Sequence, residues 1–194
     1  MRGTLLAVSL LTSTAWADTV DFRDPNLFGP ANQRSSFDVG VLDGYELTLL
    51  PAPEGARLWW DAVDGFGVRF SYEDDEIEGV EELTVQFSAA VYLDAIHVSD
   101  LYLEGGRREI GFYQLDGGAK QSFLALPGAP NGELSIDVGA TVRTIGFSAP
   151  GHGHEFSVKA LDVAPNPEPG TLGLCGAVLV GAWVAHRRRR RRDG

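Results

Sequence analysis

The chain has almost no cysteine. Its one thiol, Cys175, has no partner for an internal disulfide, so a disulfide scaffold and a Cys-rich zinc site are both excluded. Stretches with a helical apolar period are scarce, which argues against a helical bundle. Between residues 18 and 164 there is no long apolar run and no internal repeat. Recognisable catalytic signatures are also missing. There is no G-x-S-x-G, no Cys–His nucleophile set, no P-loop and no dinucleotide fingerprint. Basic residues are few away from the ends. Residues 18–164 hold 9 Lys and Arg against 25 Asp and Glu, a formal charge of −16. Such a body repels nucleic acid and anionic membrane, so neither is expected as a partner.

What is present is concentrated first at the two ends. Met1-Arg2, an apolar core from Leu5 to Leu11 and the small-x-small site Ala15-Trp16-Ala17 have the three regions of a secretory signal peptide. Cleavage by signal peptidase is expected before Asp18, giving a signal segment 1–17. At the other end, residues 165–170 (PNPEPG) break any helix. An uncharged stretch, 171–185, follows and reads as a transmembrane helix. Six arginines close it: Arg187, Arg188, Arg189, Arg190, Arg191 and Arg192. They favour the cytoplasmic side, so the preceding chain should face outward. Fifteen residues span about 23 Å as a helix, short of a bilayer core of about 30 Å. A plain C-terminal tail anchor is the competing reading.

This ordered tail, with Pro167, Glu168 and Pro169 ahead of the apolar segment and the arginines, resembles the PEP-CTERM sorting signal of bacterial exported proteins. The resemblance covers residues 165–194. It implies processing by a membrane protease, an exosortase, and a setting of exopolysaccharide production. The protein is then expected to be anchored by the tail and, once processed, to reside at the cell surface or outside it.

The body, 18–164, reads as all-β. Leu83, Val85 and Phe87 alternate with Thr84, Gln86 and Ser88. Ile96 and Val98 flank His97. Ile110 and Phe112 alternate with Gly111 and Tyr113, Leu134, Ile136 and Val138 with Ser135 and Asp137, and Phe156 and Val158 with Ser157. Gly-rich pairs at 105–106, 117–118 and 131–132 mark turns. Eight to ten short strands predict a two-sheet β-sandwich, jelly-roll-like, with an up-and-down barrel as the alternative, residues 18–35 as an irregular leading arm and helices only in the two terminal signals.

Two candidate sites stand out. Seven of the ten residues 73–82 are acidic. Carboxylates so crowded need solvent or a shared cation, and hard oxygen ligands suit Ca²⁺, with Asp64, Asp75 and Glu76 as the expected ligands. The alternative is a solvated acidic loop, or capping of backbone amides by Asp75 and Glu76. Beside it, Trp59, Trp60 and Tyr72 offer rings for stacking on sugars, although adjacent Trp59 and Trp60 must face opposite sides of a strand. The function expected from these features is structural or adhesive, in a polysaccharide matrix and without enzymatic activity. A carbohydrate-binding module and a secreted glycoside hydrolase are the alternatives.

If the tail is an exosortase signal, mass spectrometry of the protein from its native host will find a C-terminus near Pro167-Glu168-Pro169. An intact Arg187–Arg192 block on the mature surface protein would overturn the assignment.

Overall fold

A computed structural model describes residues 17–42, 44–70, 76–104 and 106–166. Residues 1–16 of the signal segment, the acidic stretch 71–75 with Tyr72 and Asp75, and residues 167–194 of the sorting tail, with its Pro-Glu-Pro motif, apolar segment and arginines, lie outside the described residues. Among the described residues no helix is long and apolar enough to cross a membrane. The body is all-β, with two 3₁₀ turns at Gly29–Ala31 and Pro130–Gly132 as its helical elements.

Among the described residues there are twelve strands: β1 (Asp18–Asp21), β2 (Phe37–Leu42), β3 (Tyr45–Ala52), β4 (Arg57–Asp61), β5 (Gly65–Arg69), β6 (Glu82–Ser99), β7 (Leu103–Glu104), β8 (Arg107–Arg108), β9 (Ile110–Leu115), β10 (Lys120–Leu124), β11 (Leu134–Ser148) and β12 (Ser157–Pro165). Ten of them form one continuous hydrogen-bonded sheet, and β7–β8 is a separate short hairpin. Two strands are far longer than the alternation predicted. β6 has 18 residues and β11 has 15. Bulges break the alternation within each, so the runs Leu83–Phe87 and Ile96–Val98 belong to one strand. Between Gln86 and Val91 of β6 the register against β11 slips, with Thr144 opposite Gln86 and Val142 opposite Val91. A second bulge lies between Asp137 and Ala140, where Gly139 supplies φ +64°.

These irregularities give the sheet its two parts. On the first half of β6, residues 82–87 pair with β3 on one side and β11 on the other. On the second half, residues 91–99 pair with β12 instead of β3. The first part runs β2-β3-β6-β11-β9-β10, and the second joins β11 and β6 to β12, with β1 and β5-β4 beyond. Both parts line a single apolar core. The two sheets expected from sequence are therefore one sheet, carried from part to part by the same two strands.

Core positions follow the alternation where no bulge intervenes. Leu83, Val85, Phe87, Ile96, Val98, Ile145 and Phe147 are all buried. In β9 the core face is Gly111 and Tyr113, while Ile110 and Phe112 are only half-buried. The reason is Phe123 of β10, cross-strand from Gly111, whose ring occupies the space a Cβ would need, 2.1 Å from the ideal Cβ position. It reaches on to Phe156, with ring centroids 5.0 Å apart and edge to face.

The leading arm is not an appendage. β1 pairs with β12, and Phe22 and Phe28 then enter the core fully buried. With Phe66 they form three mutual edge-to-face contacts at 5.1–5.7 Å. Backbone bonds from Gln33 N–H to Leu58 and from Leu58 N–H to Arg34 fasten the arm to β4.

Phe87 is 2% exposed and packs edge-on against Tyr45. Phe87→Ala should cost about 3–5 kcal/mol in chemical denaturation. Gly111→Ala, with no space for its methyl, should cost about 1–3 kcal/mol, whereas Gly111→Ala with no loss would show that Phe123 does not lie over it.

Candidate functional site

The four strands β11, β6, β12 and β1 lie side by side in the second part of the sheet. Their inward side chains, such as Ile96, Val98, Leu161 and Val163, belong to the core. The outward positions between them carry a row of polar residues. Ser135 is the register partner of His97, and Thr19 that of Asp162. His97 faces Ala160, one diagonal step from Asp162.

The row is bonded end to end. Ser135 Oγ lies 2.7 Å from His97 Nδ1. His97 Nε2 lies 2.9 Å from Asp162 Oδ2. The Thr19 hydroxyl donates to Asp162 Oδ1 at 2.7 Å. Burial pushes the Asp162 carboxyl up, but the hydrogen bonds from Thr19 and His97 and the nearby His97 charge outweigh it, and the group is held below its usual range. An ionised carboxylate only accepts, which assigns the proton of a neutral His97 to Nε2 and leaves Nδ1 to accept from the Ser135 hydroxyl. The ring and carboxylate remain reachable, with side chains 29% and 25% exposed.

A cleft of about 580 Å³ opens over this row. Two ion pairs border it. Arg23 grips Asp21 through two 2.8 Å bonds, and Lys159 pairs with Glu133. The bond from Arg23 is the chief reason the Asp21 carboxyl is also held low. Pro130 and Leu134 supply an apolar wall. Arg23 and Asp21 reach this position because β1 pairs with β12, and Lys159 because it is the extra residue of a bulge between Val158 and Ala160.

The sequence-predicted sites are placed elsewhere. Asp64 ends the turn before β5, where its carbonyl accepts the Ser99 hydroxyl and its N–H is capped by Asp61. Glu76 lies beside Val68, at the other end of β5, its carbonyl accepting the Val68 N–H. Four residues of strand, about 13 Å, separate the two positions. Among the described residues no group of three or more His, Cys, Asp or Glu side chains is arranged to hold a metal. Of the expected Ca²⁺ ligands only Asp64 and Glu76 are described, and Asp75 lies outside the described residues. Glu81 is buried and caps backbone amides here, accepting the N–H groups of Phe70 and Glu78.

Trp59 and Trp60 do face opposite sides of β4. Trp60 is not a sugar platform: it packs against the core and Gly29, and its indole N–H donates to the Phe22 carbonyl at 2.6 Å. Trp59 faces outward, but Arg69 lies over its ring, 4.7 Å from the centroid. Tyr72 lies outside the described residues. Sequence reasoning missed the cleft because Thr19, His97, Ser135 and Asp162 are far apart in the chain. The lone signal was His97 between two apolar residues on a strand.

No family model matches the chain, and no curated protein matches it. Among solved structures, one described as "Family 35 carbohydrate binding module from Clostridium thermocellum" is 12% identical, covers 76% of this chain and 98% of its own, and aligns with a TM-score of 0.41. A likeness of that degree carries no functional argument.

The lowered carboxyls make stability depend on acid. Above the ordinary aspartate value of 3.8 both states are ionised at Asp162 and the interaction contributes fully. As pH falls below 3.8 the unfolded chain takes up a proton that the folded one still refuses, and the contribution is lost on passing through the lower folded value. The thermal midpoint of Asp162→Asn should therefore fall less steeply than that of the wild type between about pH 4.5 and 2. Parallel curves would show that Asp162 has no such role.

Proposed function

We propose that the protein is an exported surface or matrix protein, sorted by an exosortase, whose body holds carbohydrate in the cleft over Thr19, Asp162, His97 and Ser135. The observation that carries the binding reading is the bonded polar row itself, bordered by the Asp21–Arg23 and Lys159–Glu133 pairs. Its protons are used within the row, so it offers acceptor oxygens, with the donors of Arg23 and Lys159 at its border, alternating with a small apolar wall. A sugar has the same alternation of hydroxyls and C–H faces, and its hydroxyls both donate and accept. The cleft volume is within the usual range for small ligands of about 300–1,000 Å³. The acidic body keeps the site away from anionic lipid and nucleic acid but leaves neutral glycans free to approach.

The sorting half of the reading is supported by the sequence at both ends. It is also consistent with β1 starting at Asp18, the first residue after the expected signal-peptidase cut. The folded sheet acts here as a rigid scaffold that exposes one polar face. Glycoside hydrolysis would need two carboxylates set across a bond, and of the three at the cleft Asp21 and Glu133 are engaged by Arg23 and Lys159.

The test is glycan-array binding by the exported protein, followed by calorimetry on any glycan retained. Asp162→Ala should weaken binding at least tenfold, about 1.4 kcal/mol. Trp59→Ala should change it less than twofold. Binding lost in Trp59→Ala and kept in Asp162→Ala would move the site to the β4 face. An empty array would leave the body a structural element without a glycan ligand.

A further inference from the structure

We propose that Ser135 is an activated nucleophile and that the cleft hydrolyses carboxylic esters. The argument is geometric. A serine hydroxyl is a weak nucleophile unless a base stands ready for its proton, and the base needs a third group to hold its tautomer. Ser135, His97 and Asp162 meet both conditions at 2.7 and 2.9 Å. Thr19 fixes the carboxylate in turn. Each group comes from a different strand of one rigid sheet, so the spacing is set by strand register and not by mobile loops. Ser135 is exposed and lines the cleft, so a substrate carbonyl can reach it.

The reaction balances with water alone. Ser135 Oγ attacks the ester carbonyl carbon while its proton passes to His97 Nδ1. The intermediate collapses to acyl-Ser135, and the departing alkoxide takes that proton and leaves as the alcohol. Water then attacks the acyl carbon, gives a proton to His97, and the proton returns to Ser135 Oγ as the carboxylic acid departs. Asp162 stays ionised throughout and acts as a positioning residue. Negative charge on the intermediate's oxygen falls in a cleft that also holds Lys159 and Arg23. Both cations are held by carboxylates, Arg23 by Asp21 through two 2.8 Å bonds and Lys159 by Glu133, so they act on that charge from fixed positions. Pro130 and Leu134 give the acyl group an apolar wall, which suits a short acyl chain on a polyol.

This proposal concerns the same cleft as the glycan reading but does not rest on it. The experiment is therefore a fluorophosphonate probe, which needs no glycan: an Oγ–P bond forms and fluoride leaves. The full chain is labelled and mapped by mass spectrometry, with Ser122, exposed on β10, as the internal reference. Ser135 should react about 10²-fold faster than Ser122 or more, the usual contribution of a positioned base. Its rate should fall on acidification, because a protonated His97 cannot accept the proton, and that pH dependence should vanish in His97→Gln. Ser135→Ala should lose p-nitrophenyl acetate hydrolysis while keeping the wild-type strand content by circular dichroism. Equal labelling of Ser135 and Ser122 overturns the proposal. So does labelling of Ser135 that is independent of pH, which keeps the test decisive even if His97→Gln does not fold. Fast labelling with an empty glycan array would sink the glycan reading alone.

Discussion

The pairing of β6 with β11 is the constraint on which everything else depends. They stay hydrogen-bonded across both parts of the sheet, from Leu134 opposite Val98 to Ser148 opposite Glu82. Every other strand of the large sheet is attached to one of these two, directly or through a neighbour. Their slip in register, at Gln86–Val91 on one strand and Val142–Thr144 on the other, is what lets one sheet present two parts to a single core. The slip is pinned from outside. Asp116, in the left-handed conformation at φ +48°, accepts the N–H groups of both Arg143 and Thr144 and donates its own N–H back to the Thr144 carbonyl. A short polar residue that tolerates that conformation thus satisfies the backbone groups that a bulge leaves unpaired.

The same economy explains much of the acidity. A body at −16 would be expected to spend its carboxylates on solvent. Several instead replace missing backbone partners. Asp61 caps the turn before β5, and Glu81 closes the approach to β6. Buried Glu109 also accepts from the Tyr102 N–H. A buried carboxylate is tolerable when backbone N–H groups surround it, since these charge-assisted bonds offset desolvation. The crowding of acids near residue 80 is in part a consequence of irregular backbone that needs acceptors.

The cleft depends on the long-strand core and the arm together. β6 and β11 provide His97 and Ser135 at matched register. The arm delivers Thr19, Asp21 and Arg23 only because Phe22 and Phe28 lock it to Phe66 beneath. An apolar cluster on one face therefore fixes polar geometry on the other. A site built in this way is stiff, and stiffness is what both glycan recognition and acyl transfer demand, since neither then spends binding energy on ordering side chains.

The sequence by itself determined the all-β class, much of the core and the strongly acidic body. Those depend on local period and local composition, which need no partner to be read. Leu83, Val85 and Phe87 are buried together because a strand alternates, whatever it pairs with. The breaks in alternation in β6 and β11 were equally visible but ambiguous, since a bulge and a strand end look alike along one chain. Trp60 and Glu81 show the same limit: an aromatic pair and an acidic run do not reveal which member turns inward. Only the tertiary structure decided that two long strands carry the sheet, that the arm belongs to the core, and that Thr19, His97, Ser135 and Asp162 stand in one bonded row. Their meeting is set by inter-strand register between segments that no local pattern relates, because register is fixed by the sum of contacts across the whole sheet.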